Sequence, residues 1–179
     1  MSSYRPRRSV LYMPAANERA LEKAKDIQAD ALIFDLEDAV APDSKEIARE
    51  QACVAASSSD YGNRELTIRC NGLDTPWGRE DVLAAAAAAP AAVVIPKVDG
   101  PAYLDQISDL LDQGGAPSST QIWAMVETPV GILNVDQIAH HKRMSVMVLG
   151  TNDMAKELRA TVTAGRATLV PYLSMCLLS

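Results

Sequence analysis

At 179 residues, 48% hydrophobic and 22% charged, the chain is long enough for one globular domain with a real core. Its net charge of -6 and pI near 4.9 argue against general nucleic-acid binding through a basic surface. No apolar run is long enough to span a membrane, and the three cysteines, Cys53, Cys70 and Cys176, show neither zinc spacing nor a disulfide framework. The basic start, MSSYRPRR, precedes only a few apolar residues and does not make a signal peptide, so a reducing, cytoplasmic location is expected.

Residues 8–13 (RSVLYM) predict a first strand, closed by Pro14, and residues 18–27 a helix capped by Asn17. Residues 31–36 (ALIFDL) are a second strand, followed by Glu37, Asp38 and Pro42. Asp43 or Ser44 caps a second helix to about Ala56, and residues 57–62 are a loop, solvated at Ser57 to Ser59. Residues 65–70 (ELTIRC) form a third strand, ended by Asn71-Gly72. Thr75-Pro76 opens a third helix that takes in the alanine run to Ala89, a sign of helix propensity and not of a low-complexity tail. Residues 92–95 (AVVI) are a fourth strand with Pro96-Lys97 behind it, and Pro101 begins a helix ending near Gly114-Gly115. Residues 122–126 form a fifth strand, 135–141 a short helix and 145–149 (SVMVL) a sixth strand, ended by residues 150–153. Residues 168–178 make the last helix.

Strands alternating with helices at this spacing imply a parallel sheet with right-handed crossovers. An open doubly wound sheet and a (β/α)8 barrel both fit. No GxGxxG follows the first strand, which weakens a dinucleotide-binding fold. Polar residues stand at the C-terminal ends of nearly every strand: Glu37 and Asp38, Arg69, Lys97, Glu127 and Asp153. Barrel enzymes place their chemistry at that rim. The residues thus point to an α/β fold with roughly six βα units, in one domain over residues 1–179 with no second domain; a whole barrel takes about 250 residues, more than this chain has.

Glu127 and Asp153 end consecutive strands, which are neighbours in a barrel. Two carboxylates with waters suit Mg²⁺, a hard octahedral cation that takes one or two protein carboxylates and some substrate oxygens. No His or Cys stands beside either, so zinc fits less well. The competing reading pairs each carboxylate with Lys97 or Arg69. Lys97 itself is expected to be the counter-charge of Glu37. His140 and His141, at a helix end, are expected at the surface. Trp77 and Trp123 are expected to pack, and Cys70 to be a small buried residue.

Six segments in this order, RSVLYMPAANERALEKA, LIFDLEDAV, TIRCNG, VVIPKV, VETPVG and VLGTND, resemble the citrate lyase β-subunit group of the HpcH/HpaI aldolase superfamily. The resemblance covers nearly the whole chain. It implies a TIM-type (β/α)8 barrel, of which residues 1–179 would be the N-terminal part with about six βα units, and a Mg²⁺-dependent carbon–carbon lyase or thioesterase acting on short hydroxy-dicarboxyl-CoA thioesters of the citryl-, malyl- or citramalyl-CoA type. Glu127 and Asp153 match the family's metal ligands. Arg69 matches the arginine that holds the substrate's carboxylate or thioester oxygen, and Tyr12, Arg19 and Lys23 match positions that contact substrate or CoA. Glu37 and Asp38 are placed to orient Arg69 or to bond metal waters, while a helix N-terminal charge pair is the alternative. The resemblance also implies a homo-oligomer, a trimer or a multiple of one.

The family's first motif usually has Gly after Pro14, where this chain has Ala15. The family's barrel also continues through two further strands and a C-terminal segment. The expectation is either a shortened form of a longer enzyme or a naturally short relative. Within enzymes, an aldolase releasing pyruvate from a free hydroxy acid is the alternative. Outside them, it is a catalytically silent binding or assembly module.

Overall fold

The computed structural model describes residues 5–179. Six parallel strands follow one another in sequence order across a single sheet: β1 (Val10–Pro14), β2 (Ala31–Asp35), β3 (Glu65–Arg69), β4 (Ala92–Ile95), β5 (Gln121–Val126) and β6 (Met144–Leu149). Sequential order with every neighbour parallel is the winding of a (β/α) barrel and not of a doubly wound sheet, whose order reverses at a switch point. The connections carry α1 (Glu18–Ala24), α2 (Lys45–Ala56), α3 (Gly78–Ala88), α4 (Pro101–Gln113), α5 (Pro129–Leu133) and α6 (Val135–Ala139). After β6 come α7 (Thr151–Glu157) and α8 (Val170–Leu178).

The central strands β2 to β5 are buried on both faces because both are covered, while β1 and β6 at the sheet's edges are partly exposed. Leu32, Phe34, Ile68, Val93 and Ile122 point outward and pack with Ala48, Ala52, Val82, Leu104 and Ile107 of the helices. On the other face Ala31, Ile33, Ala92, Val94, Trp123 and Met125 form a separate interior cluster, with Val146 and Val148 packed against it. The period of two that separates these sets also decides which polar residues face the interior: Tyr12, Asp35 and Arg69 stand in phase with the inner set. At the opposite end of the strands Arg7 closes the interior. Its guanidinium donates to Glu65 at 2.6 and 2.8 Å and lies 5.3 Å from the Trp123 ring centroid.

The expected strands are all present, with edges moved by a residue or two. Two helices were not anticipated. The residues that read as a strand stop at 128–131 in fact start α5: Thr128 accepts from the Gly131 N–H at 3.0 Å, and Pro129 takes the first helical position. Likewise residues 151–153, read only as the end of β6, form the first turn of α7, whose Met154 and Ala155 are buried. In both places one short polar stretch serves as strand end and helix start, and only the packing of the next residues shows that a helix follows.

Candidate active site

Arg69, the last residue of β3, is 7% exposed and surrounded by carboxylates. Its Nε and Nη2 each donate to Asp35 at 2.7 Å, a bidentate pair across adjacent strands whose register places Asp35 opposite Arg69. Glu37 lies 2.8 Å from Nη1, and Asp38, whose side chain is 74% exposed, lies 3.3 Å from Nη2. The Glu37 Oε2 atom is off the N–H direction and makes no hydrogen bond, so that contact is purely electrostatic. The Tyr12 ring covers the guanidinium, with 5.4 Å from its centroid to the central carbon. Burial alone would lower the arginine's pKa, but Asp35, then Glu37 and Asp38, outweigh it and the net shift is upward.

The other half of the rim is built differently. Glu127 follows β5 and is 4% exposed. Its Oε1 accepts from the backbone N–H of Lys97 at 2.9 Å. Lys97 adopts φ +50°, the left-handed region that costs a non-glycine residue about 1 kcal/mol or more. Burial raises the Glu127 pKa, and nearby Asp153 raises it further against the Lys97 N–H and the more distant Arg69. Gly150 makes room for this carboxylate, since a Cβ there would fall 2.2 Å from Glu127 Oε2. Asp153 sits in the first turn of α7 and makes no ion pair among the described residues.

These halves share one cavity of about 270 Å³, lined by Tyr12, Asp38, Arg69, Met125, Glu127, Val148 and residues 149–153. Strands at both ends of the sheet contribute to it, so the sheet curls round far enough to face itself. Arg69, Glu127 and Asp153 converge there, as the sequence pattern required. Among the described residues no three His, Cys, Asp or Glu side chains cluster as a ready metal cage. Glu127 and Asp153 are the two carboxylates on the β5–β6 side of this cavity.

Several expectations need correction. Lys97 is not the counter-charge of Glu37: Arg69 takes that role, and Lys97 contributes its backbone N–H to Glu127 while its side chain is exposed. The arginine fork expected to grip a substrate carboxylate is occupied by Asp35, so what faces the cavity is the Nη1–Nη2 edge contacted by Asp38. Arg19 and Lys23, by contrast, need none: they are exposed on α1 outside the cavity lining, where contact with the CoA part of a substrate is compatible with their placement. His141 is not a surface group: its side chain is 5% exposed and lies 3.4 Å from Asp105, whereas His140 is exposed. Trp123 and Cys70 are buried as expected, and burial pushes the Cys70 thiol far up, away from nucleophilic character.

Asp35 is the residue that reading the sequence missed. The alternation that turns Asp35 inward with Ala31 and Ile33 is visible in the sequence, but it is the register of β2 on β3 that sets this acid opposite the inward Arg69.

Residues 8–176 match the family model described as HpcH/HpaI aldolase/citrate lyase. The chain belongs to that family. A (3S)-malyl-CoA thioesterase of Cereibacter sphaeroides is 46% identical over 174 residues, 97% of this chain and 59% of the relative. The citrate lyase beta subunit of M. tuberculosis, solved with oxaloacetate and magnesium, superposes with a TM-score of 0.76 at 25% identity, covering 94% of this chain and 71% of that one. A structure of CitE from Mycobacterium tuberculosis with magnesium, acetoacetate and coenzyme A superposes at 0.75, also at 25% identity, covering 94% and 60%. This member of the HpcH/HpaI family thus spans about 59% of the length of the curated thioesterase it matches. Among its described residues no helix is long and apolar enough to cross a membrane.

Proposed function

We propose that the rim cavity binds Mg²⁺ between Glu127 and Asp153 and cleaves a short hydroxy-dicarboxyl-CoA thioester of the malyl-, citramalyl- or citryl-CoA type. The observation that carries this reading is charge. Asp35, Glu37 and Asp38 contact one guanidinium, Arg69, and Glu127 and Asp153 line the same cavity with no cation of their own paired to them among the described residues. An anionic substrate is repelled by such a site unless a cation joins it. The donor set fits Mg²⁺: two carboxylates, Glu127 buried and Asp153 half-buried, line one cavity with room for water and substrate oxygens. The relatives' printed activities and the magnesium and coenzyme A of the solved neighbours support the same chemistry.

When bound, Mg²⁺ supplies positive charge to the substrate's hydroxyl and carboxylate oxygens. The chain's own residues supply the rest. Arg69 offers its outer edge to the thioester oxygen and stabilises negative charge developing there, with Asp35 holding it against rotation. Glu37, whose carboxyl is raised to about 7 by burial against the opposing pull of Arg69, can hold or release a proton near neutrality. Met125 and Val148 give the cavity an apolar side that limits water. Arg19 and Lys23, exposed on α1 beyond Tyr12, are free to meet the phosphates of CoA.

In the same reading the six βα units are one domain, the N-terminal part of the barrel, and the chain assembles as a cytoplasmic homo-oligomer. The deciding experiment is turnover of malyl-, citramalyl- and citryl-CoA with Mg²⁺ or with EDTA, beside a direct Mg²⁺ titration. Magnesium-dependent release of free CoA or of acetyl-CoA is expected. Equal rates in EDTA would sink the metal role, and turnover of free hydroxy acids unaffected by added CoA would replace the thioester with an aldol substrate.

A further inference from the structure

Behind the sheet, a chain of buried polar groups ends on the segment that carries Glu37 and Asp38. Lys45, the first residue of α2, is 5% exposed. Its ammonium donates to the carbonyls of Leu36 at 2.6 Å and Glu37 at 2.7 Å, and to Asn71 Oδ1 at 2.8 Å. An ammonium has three donors, and all are used. The charge also lies 5.2 Å from the Trp77 ring centroid. Asn71 Nδ2 donates in turn to Leu36 O at 3.0 Å and to Asp81 at 2.6 Å. Asp81 is 0% exposed and also accepts from the Asn71 N–H at 3.0 Å and from Arg49 Nε at 2.7 Å.

Burying an ammonium is expensive, and apolar packing of similar volume serves stability as well or better. Burial does pull the Lys45 pKa down, with Asp81 the first of the acids that offset it. No carboxylate touches Lys45 directly: its contacts are two main-chain carbonyls and an amide. Those carbonyls flank the Glu37 residue on one side, while its N–H is held on the other by Asp35 Oδ1 at 2.8 Å. Glu37 is thus fixed from both edges of its backbone, and Asp35 is the same residue that holds Arg69.

We propose that Lys45, held by Asn71 and Asp81, is a positioning residue that sets the Glu37–Asp38 segment against Arg69. It touches nothing in the cavity and acts only through the backbone it grips. The inference rests on the function proposed above for its catalytic consequence, but its structural core can be read without turnover.

The experiment compares the wild-type chain with Lys45→Met, the gentler Lys45→Gln, and Asp81→Asn. It follows kcat and KM for malyl-CoA and amide exchange at Glu37. Lys45→Met is expected to lower kcat about 10- to 100-fold with KM little changed, a size typical of losing a group that orients a site. Glu37 amide exchange should quicken in step, and Lys45→Gln and Asp81→Asn should fall between. If Lys45→Met does not fold, Lys45→Gln carries the test. Folded variants with wild-type kcat and unchanged Glu37 exchange overturn the proposal, as does a loss of thermal stability alone. If the wild type turns over no thioester, the proposed function fails by itself, and the exchange data still decide whether Lys45 orders Glu37.

Discussion

The two halves of the rim hold similar residues and treat them in opposite ways. At the β2–β3 side, Asp35, Glu37 and Asp38 are gathered on Arg69, and the segment behind them is pinned by Lys45. At the β5–β6 side, Glu127 has one backbone donor and Asp153 no ion pair among the described residues. Nearly every donor of the first half is already used, whereas the second keeps acceptors in excess. The difference teaches that a cluster of acids is not one kind of site. Where a fixed cation is built in, carboxylates position. Where none is, they repel each other, and Asp153 adds to the burial that pushes the Glu127 pKa up.

Removing an acid from each half separates these roles, and the largest effect is expected on the open side. Glu127→Ala should abolish Mg²⁺ binding in a titration and lower kcat/KM by about 4 kcal/mol, roughly a thousandfold, while leaving folding nearly unchanged. If instead Glu127→Ala unfolds the chain and leaves metal affinity alone, the two halves do not differ as described.

On the paired side, Asp35→Ala strands a buried guanidinium. Denaturant unfolding should show a loss of about 3–5 kcal/mol, the cost of removing one partner of a buried ion pair. Magnesium affinity should change little. A loss below about 1 kcal/mol, the level of an exposed pair, would mean that Asp35 does not anchor Arg69.

A smaller change tests the room left for Glu127. Gly150→Ala places a methyl group 2.2 Å from Oε2 and 2.6 Å from the Glu127 Cβ, so the carboxylate must move. An overpacking cost of about 1–3 kcal/mol is expected, read as weaker Mg²⁺ binding more than as lost stability. Unchanged metal affinity would show that Glu127 can give way without consequence.

Glu37 supplies a pH test without added metal. Its folded pKa of about 7 lies above the ordinary 4.5, with burial the main cause and Arg69 opposing. The folded state therefore binds more protons than the unfolded one. The contribution of this carboxyl to stability is complete below about pH 4.5 and is lost as pH rises through about 7. Glu37→Gln should flatten the wild-type decline across that window in thermal unfolding. An unaltered slope would assign the decline to other groups.

The smallest effects belong to the exposed cations outside both halves. Arg19→Ala and Lys23→Ala should each raise KM for a CoA thioester by about 0.2–1 kcal/mol, a few-fold at most, with kcat unchanged. Loss of that effect at high salt is expected, because exposed charges are screened.

The order of the six strands was legible in the chain, though not the helices α5 and α7, because apolar runs of strand length between amphipathic segments leave few other ways to bury both faces of a sheet. The positions of Arg69, Glu127 and Asp153 at one rim followed, since parallel strands bring all their C-terminal ends together. The partners of these residues did not follow. Lys97 was an equal candidate by charge, but a left-handed backbone turned its N–H inward and left its ammonium outside. Asp35 lay inside a run that reads as plain strand, and its meaning depended on register with Arg69, a contact 34 residues away. Lys45, at the start of α2, carries no signal in the sequence for its place behind Leu36 and Glu37, which the packing of α2 decides. Local sequence determined which side chains reach the rim, because strand and helix periods are set by neighbouring residues. Only the tertiary structure decided which charges meet, because a pairing between strands depends on register and burial, which no short stretch encodes.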